Sequence, residues 1–168
     1  MVQWTRDFRL ENVRVTQVGR NPLVLEDSYR FAVENCWFDG SWNKSSPGYG
    51  DLAITRSYEG AMRNLVVRGL RQISFGWSSA QNRIDNLTSS VGIRFDGGFC
   101  QGNRVENVEF HLPPDYPLPM VSHANPADSG PPEGPGNVVI EKLAEAKNPE
   151  PLASMEGGPP GPPVESVR

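Results

Sequence analysis

The chain has no apolar run long enough to cross a membrane. Trp4, Arg6, Asp7 and Arg9 stand where the apolar core of a secretory signal would lie, so no signal peptide is read. There are two cysteines and two histidines in 168 residues. Cys36 and Cys100 fall on different walls and levels of the repeat described below, which argues against a disulfide and leaves two free thiols, Cys36 packed as a small hydrophobe. His111 and His123 have no metal-ligating partner at useful spacing and are read as surface histidines. Residues 1–112 hold 13 Lys+Arg against 12 Asp+Glu, a net charge of +1. That near-neutral balance leaves no basic stripe and argues against nucleic acid. No stretch carries the helical apolar period.

What recurs instead is asparagine. Asn12, Asn35, Asn64, Asn86, Asn107 and Asn137 each sit among apolar residues, as in Leu10-Glu11-Asn12-Val13-Arg14-Val15 and Val105-Glu106-Asn107-Val108-Glu109-Phe110, at spacings of 23, 29, 22, 21 and 30 residues. Leu10, Val33, Met62, Ile84 and Val105 stand two before the asparagine. Val13, Cys36, Leu65, Leu87 and Val108 stand one after it. Alternation on each side predicts short strands with one buried face. The asparagine breaks the period and marks a corner, where it tolerates the left-handed conformation and can bond to its neighbour in the stack. A third strand is read at Leu23-Val24-Leu25, Leu52-Ala53-Ile54, Ile73-Ser74-Phe75 and Ile93-Arg94-Phe95. A repeat of this length without helices predicts an all-β chain, a right-handed single-stranded parallel β-helix (β-solenoid) of about five coils.

Gly92-Ile93-Arg94-Phe95 followed by Asn103-Arg104-Val105-Glu106-Asn107-Val108-Glu109-Phe110 resembles the repeat of the pectate-lyase-like β-helix superfamily. That superfamily includes polysaccharide lyases, epimerases, some glycoside hydrolases and phage tailspikes. The match spans residues 8 to 110, with a fainter coil at 137–140. It implies a secreted, cell-surface or virion-borne parent protein. The chain starts within a coil, with no amphipathic helix over the first edge. It is therefore read as a fragment lacking its cap, or as a subunit capped by a neighbour in a homo-oligomer.

The domain reading is a parallel β-helix over 1–112, a Pro-rich loop over 113–136, a last coil strand at 137–143, and a disordered tail over 144–168. Residues 113–168 hold 14 of the 16 prolines and 3 Lys+Arg against 8 Asp+Glu. Such a composition buries too little apolar surface to offset the ordering of its backbone. Gly158-Pro159-Pro160-Gly161-Pro162-Pro163 is too short for a collagen triple helix.

In the resembling enzymes the substrate lies along one strand face and its flanking loops. Mapped here, that face carries Val24, Ala53, Ser74 and Arg94, then Glu26, Thr55, Gly76 and Asp96. The candidate ligand-binding residues are Trp42, Asp51, Arg56, Trp77, Arg94 and Asp96. Arg94 beside Asp96 could hold a uronate, and the exposed aromatics Trp37, Trp42, Tyr49 and Trp77 could stack on sugar rings. A lyase must neutralise a carboxylate and abstract the adjacent proton: calcium (Ca2+) or an arginine can do the first and a lysine or arginine of lowered pKa the second, and Glu26 with Asp51 could help hold calcium, although these two do not align in one column. The clustered aspartates and histidine of polygalacturonases are absent, and no catalytic residue is assigned. The sequence thus points to a carbohydrate-active β-helix that binds or processes an acidic polysaccharide. The alternatives are a structural or adhesive rod and an inactive, truncated lyase. The loop from Asp39 to Gly50 discriminates between them: overhanging a groove it favours sugar, lying flat it favours the rod.

Overall fold

The computed structural model describes residues 1–124 and 133–142. These residues are all-β, with no helix among them. Fourteen strands form two sheets in which every neighbouring pair is parallel. The first sheet holds β1 (Val2–Gln3), β4 (Leu23–Glu26), β7 (Asp51–Thr55), β9 (Gln72–Gly76), β11 (Ile93–Asp96) and β13 (Val121–Ala124), in that spatial order. The second holds β2 (Arg9–Glu11), β5 (Ala32–Glu34), β8 (Ala61–Arg68), β10 (Arg83–Ser89), β12 (Arg104–Phe110) and β14 (Val138–Glu141), again in chain order. On this sheet β3 (Arg14–Val18) pairs with β6 (Trp37–Ser41), which pairs with β8. One strand of each sheet per repeat gives six repeats, one more than the sequence pattern counted. The sixth begins with β13, a strand inside the 113–136 segment expected to be a loop. The tail at 144–168 lies outside the described residues.

The registers align the apolar columns. Leu23, Leu52, Ile73, Ile93 and Val121 form one row, and Leu25, Ile54, Phe75, Phe95 and His123 the next. Leu25, Ile54, Phe75 and Phe95 are fully buried. Phe75 and Phe95 stack at 5.3 Å between ring centroids, and His123 continues the stack over Phe95 at 5.4 Å. On the other sheet Val33, Met62, Ile84 and Val105 line up inward, followed by Cys36, Leu65, Leu87 and Val108. Burying each such side chain contributes about 1.5–3 kcal/mol, which is what holds these short strands together.

Asparagine makes the corner on the second sheet. Asn12, Asn35, Asn64, Asn86 and Asn107 have φ between 54° and 58°, the left-handed region. Asn64 donates to Asn35 Oδ1 and Asn86 to Asn64 Oδ1, each at 2.8 Å. Asn107 turns to Asp85 Oδ1 at 2.7 Å. Asn137 does not join this row. Val138 is in register with Arg104, so Asn137 stands over Asn103. The Asn-Val pair that Asn137 shares with Asn12 and Asn107 was misleading, because Asn137 belongs to a second asparagine column, four residues earlier in the repeat, whose other members are followed by arginine.

That column runs Asn82, Asn103, Asn137, the first two buried. Asn82 Nδ2 donates to Asn103 Oδ1 and Asn103 Nδ2 to Asn137 Oδ1, both at 2.9 Å. Backbone N–H groups of Asn82 and Asn103 donate to the same oxygens. The column stops at Gly60, whose N–H donates to Asn82 Oδ1 at 2.9 Å. Glycine is required there by the ring of Phe31 in the preceding repeat: a Cβ on Gly60 would lie 1.9 Å from Phe31 Cζ. No helix of the described residues is long and apolar enough to cross a membrane.

Candidate functional site

Between the end of each second-sheet strand and the next first-sheet strand runs a turn, and these turns stack in a column. Those after β8 and β10 are short, residues 69–71 and 90–92. Those after β6 and β12 are long, residues 42–50 and 111–120. The long turns rise on either side of the short ones and enclose a cleft of about 340 Å³. Lys44 forms one wall, Arg71 and Ser90 the floor, and Asp115, Tyr116 and Leu118 the other wall.

Both walls are fixed. Tyr116 Oη donates to Arg71 O at 2.7 Å and accepts from Gly92 N at 2.8 Å, and burial pushes its phenol up. Gly92 allows the close approach of the wall, since a Cβ there would lie 2.3 Å from Pro119 O. On the near side Asn21 Oδ1 accepts from Gly50 N and Asp51 N at 2.8 and 3.1 Å, and Arg20 lies 3.8 Å over the Tyr49 ring. Lys44 Nζ donates to Gly69 O and Arg71 Nη1 to Lys44 O, both at 3.2 Å. Of the loop from Asp39 to Gly50, Lys44 lines the cleft, while Tyr49 packs against Arg20.

The charges of this cleft differ from those at the far end of the first sheet, although Arg14, Arg20 and Arg63 also stand without an ion pair among the described residues. Arg9, Arg30, Arg56, Arg68, Arg83, Arg94 and Arg104 each pair with a carboxylate of this chain. Among the described residues neither Lys44 nor Arg71 has such an ion pair, although Asp115 stands in the facing wall and Arg71 acts electrostatically on Asp51.

The six sequence candidates divide between the two ends of the first sheet. Trp42 and Asp51 lie at its amino-terminal end, beside the cleft. Trp42 is 78% exposed, whereas Asp51 is 1% exposed and holds the loop. Asp51 Oδ2 accepts from Gln72 Nε2 at 3.2 Å and Gly48 N at 3.3 Å, its Oδ1 has no partner, and burial pushes its carboxyl up. Arg56, Trp77, Arg94 and Asp96 gather on the face and at the far end, about 16 Å away at 3.3 Å per residue. Arg56 is held by Asp27, with Nε–Oδ1 at 2.8 Å, and by Glu26, and the guanidinium lowers the Asp27 carboxyl. Arg94 pairs with Asp96 at 3.3 Å, and Trp77 is about half exposed. With its arginines neutralised locally, this end offers an anion less than the cleft does.

Two of the four aromatics are covered. Trp37 lies under Arg14 and Arg68, at 5.0 and 4.6 Å, and Tyr49 under Arg20. Glu26 and Asp51 do not converge: Asp51 aligns one residue before Leu23, four residues from Glu26, and Glu26 is engaged by Arg56. Calcium does not fit this pair. Among the described residues no group of three or more His, Cys, Asp and Glu is placed to hold a metal.

Sequence reasoning passed over Arg71 and Tyr116, and took Lys44 only as a loop neighbour. The available signal was length: a 29-residue spacing and the proline-rich insertion mark the two repeats whose turns are long. No family model, curated protein or solved structure matches this chain.

Proposed function

We propose that the chain is a right-handed parallel β-helix domain of a carbohydrate-active protein, secreted or virion-borne, and that its cleft binds an acidic polysaccharide. The β-helix reading is supported by six parallel strands in each ladder, by the unbroken apolar rows and by the asparagine corners. One observation carries the binding reading. Lys44 and Arg71 are cations without an internal carboxylate partner, in a walled cleft beside Tyr116. Arginine offers two parallel donors to a carboxylate, and lysine adds a mobile point charge. A tyrosine wall supplies an apolar ring with a hydroxyl already engaged.

The test is calorimetric titration with oligogalacturonate and with an uncharged oligomer of the same length. Binding of the acidic oligomer alone, weakened about tenfold by Lys44→Glu, supports the reading. Equal binding of both oligomers, or indifference to Lys44→Glu, sinks it. Growth of the unsaturated-uronide absorbance in the same samples would add lyase turnover.

The second reading is a structural or adhesive rod. It is favoured by Val2, Phe8, Leu10, Val13 and Val15, which pack on the core but are only partly buried in the first repeat. Sedimentation velocity separates the two, since a rod that stacks end to end gains mass with concentration.

A further inference from the structure

The two long turns that wall the cleft belong to the second and fifth repeats, and the short turns between them to the third and fourth. At about 4.8 Å per repeat the walls stand roughly 14 Å apart along the stack, backbone to backbone. Lys44 and Tyr116 take up part of that interval. The space that remains, about 340 Å³, lies at the lower end of the ~300–1,000 Å³ found for small-molecule sites.

Neither wall is free to fold aside. Tyr116 is bonded to both floor turns, through Arg71 O in one and Gly92 N in the other. Lys44 is bonded to the nearer floor turn at both its ends, Nζ to Gly69 O and its carbonyl to Arg71 Nη1. The floor turns are themselves joined, Gly69 N donating to Ser90 Oγ at 3.3 Å. The route along the stack is therefore closed on both sides, and a ligand enters across it. Only a short segment of a polymer can then lie against the cations.

Three charged side chains line this space: Lys44, Arg71 and Asp115. Asp115 is exposed and, among the described residues, forms no ion pair with either cation. Asp51 stands behind Arg71, outside the lining, and burial works against its charge. Two cations against one carboxylate leave a surplus of one positive charge in the lining. One ligand carboxylate matches that surplus. A second, on an adjoining sugar, would meet Asp115, and like charges brought together at a binding site are penalised. Leu70 and Val91 in the floor and Leu118 in the wall offer it no polar partner.

We propose that the cleft, on the reading above that it binds an acidic polysaccharide, takes a single uronate residue entering across the stack, and that Asp115 is the specificity residue that rejects a second uronate beside it. The preferred ligand is an isolated uronate whose neighbours are neutral sugars, in place of a continuous polyuronate. Lys44 and Arg71 supply the attraction, and Asp115 supplies the discrimination.

The test is calorimetric titration of the full chain with galacturonosyl-rhamnose, digalacturonate and hexagalacturonate. Galacturonosyl-rhamnose is expected to bind about fivefold tighter than digalacturonate, and Asp115→Asn to narrow that ratio to about twofold or less. Hexagalacturonate is expected to bind within about threefold of the dimer, because the walls exclude the added residues. Asparagine and serine both suit the turn that Tyr116 N closes on Pro113 O, so Asp115→Ser serves as a second variant. The proposal is overturned if digalacturonate binds as tightly as galacturonosyl-rhamnose, if neither Asp115 variant changes the ratio, or if the hexamer gains more than about tenfold over the dimer. Those results leave the acidic-ligand reading of the cleft standing. Failure of all three acids to bind, or indifference of all three to Lys44→Glu, overturns both.

Discussion

Asn103 donates from Nδ2 to Asn137 Oδ1 at 2.9 Å while its own Oδ1 accepts from Asn82 Nδ2 at 2.9 Å, with Asn103 fully shielded from solvent. Its Nδ2 also reaches Ser79 O at 2.8 Å. This residue joins the fourth, fifth and sixth repeats through side-chain bonds that no strand register supplies.

Asn103→Ala deletes these bonds and leaves buried partners without them. The expected loss is about 2–4 kcal/mol of unfolding free energy in urea. Asn64→Ala, in the exposed row, costs about 1–2 kcal/mol through its left-handed backbone, and Asn64→Gly costs less. A cost for Asn64→Ala equal to that for Asn103→Ala would contradict the burial argument.

Gly60→Ala drives a methyl into the Phe31 ring and is expected to cost about 1–3 kcal/mol. Phe31→Leu alone also destabilises, but the double variant recovers part of the sum. A double-mutant cycle reads that coupling, and strict additivity would show that the ring moves aside freely.

Asp51 gives a pH signature. Burial raises its folded pKa above the ordinary 3.8, so the native state holds the proton more tightly than the unfolded chain. Its contribution is fully present below 3.8 and is lost as pH rises through the folded value. Relative to the wild type, Asp51→Asn therefore gains stability as pH rises from below 3.8 toward neutrality. Urea unfolding across that range measures it, and a flat difference would mean the carboxyl is not held up.

Cys100 is fully buried, and desolvation pushes its thiol up to about 12 from 9.0. A thiol with a raised pKa favours the fold below 9.0, and that contribution drains away between 9.0 and about 12. Wild-type stability should fall more steeply over this interval than that of Cys100→Ala. A thiol reagent at mildly alkaline pH should label neither Cys36 nor Cys100 until urea is added, since both are buried and free.

The apolar columns were readable because a parallel ladder repeats each inward position one turn later, and Leu25, Ile54, Phe75 and Phe95 keep that period despite unequal spacings. The left-handed asparagines were readable for the same reason. Asn137 was not, since an Asn-Val pair occurs in two columns and only the register with Arg104 separates them. β13 was hidden by the prolines around it, yet Val121 and His123 alternate on the inward side like any other strand. The cleft is made by turns three repeats apart, so Lys44 and Tyr116 share no periodic signal, and only the stacking order places them on facing walls.

The two asparagine rows point in opposite senses along the stack. In the exposed row each amide donates toward the first repeat, as Asn64 does to Asn35 and Asn86 to Asn64. In the buried row each donates toward the sixth, as Asn82 does to Asn103 and Asn103 to Asn137. Their dipoles therefore oppose one another along the axis. A single row would polarise the stack from end to end, in the way aligned peptides polarise a helix. Two opposed rows let the repeat lengthen without accumulating such a field, and leave the local potential to be set by side-chain charge.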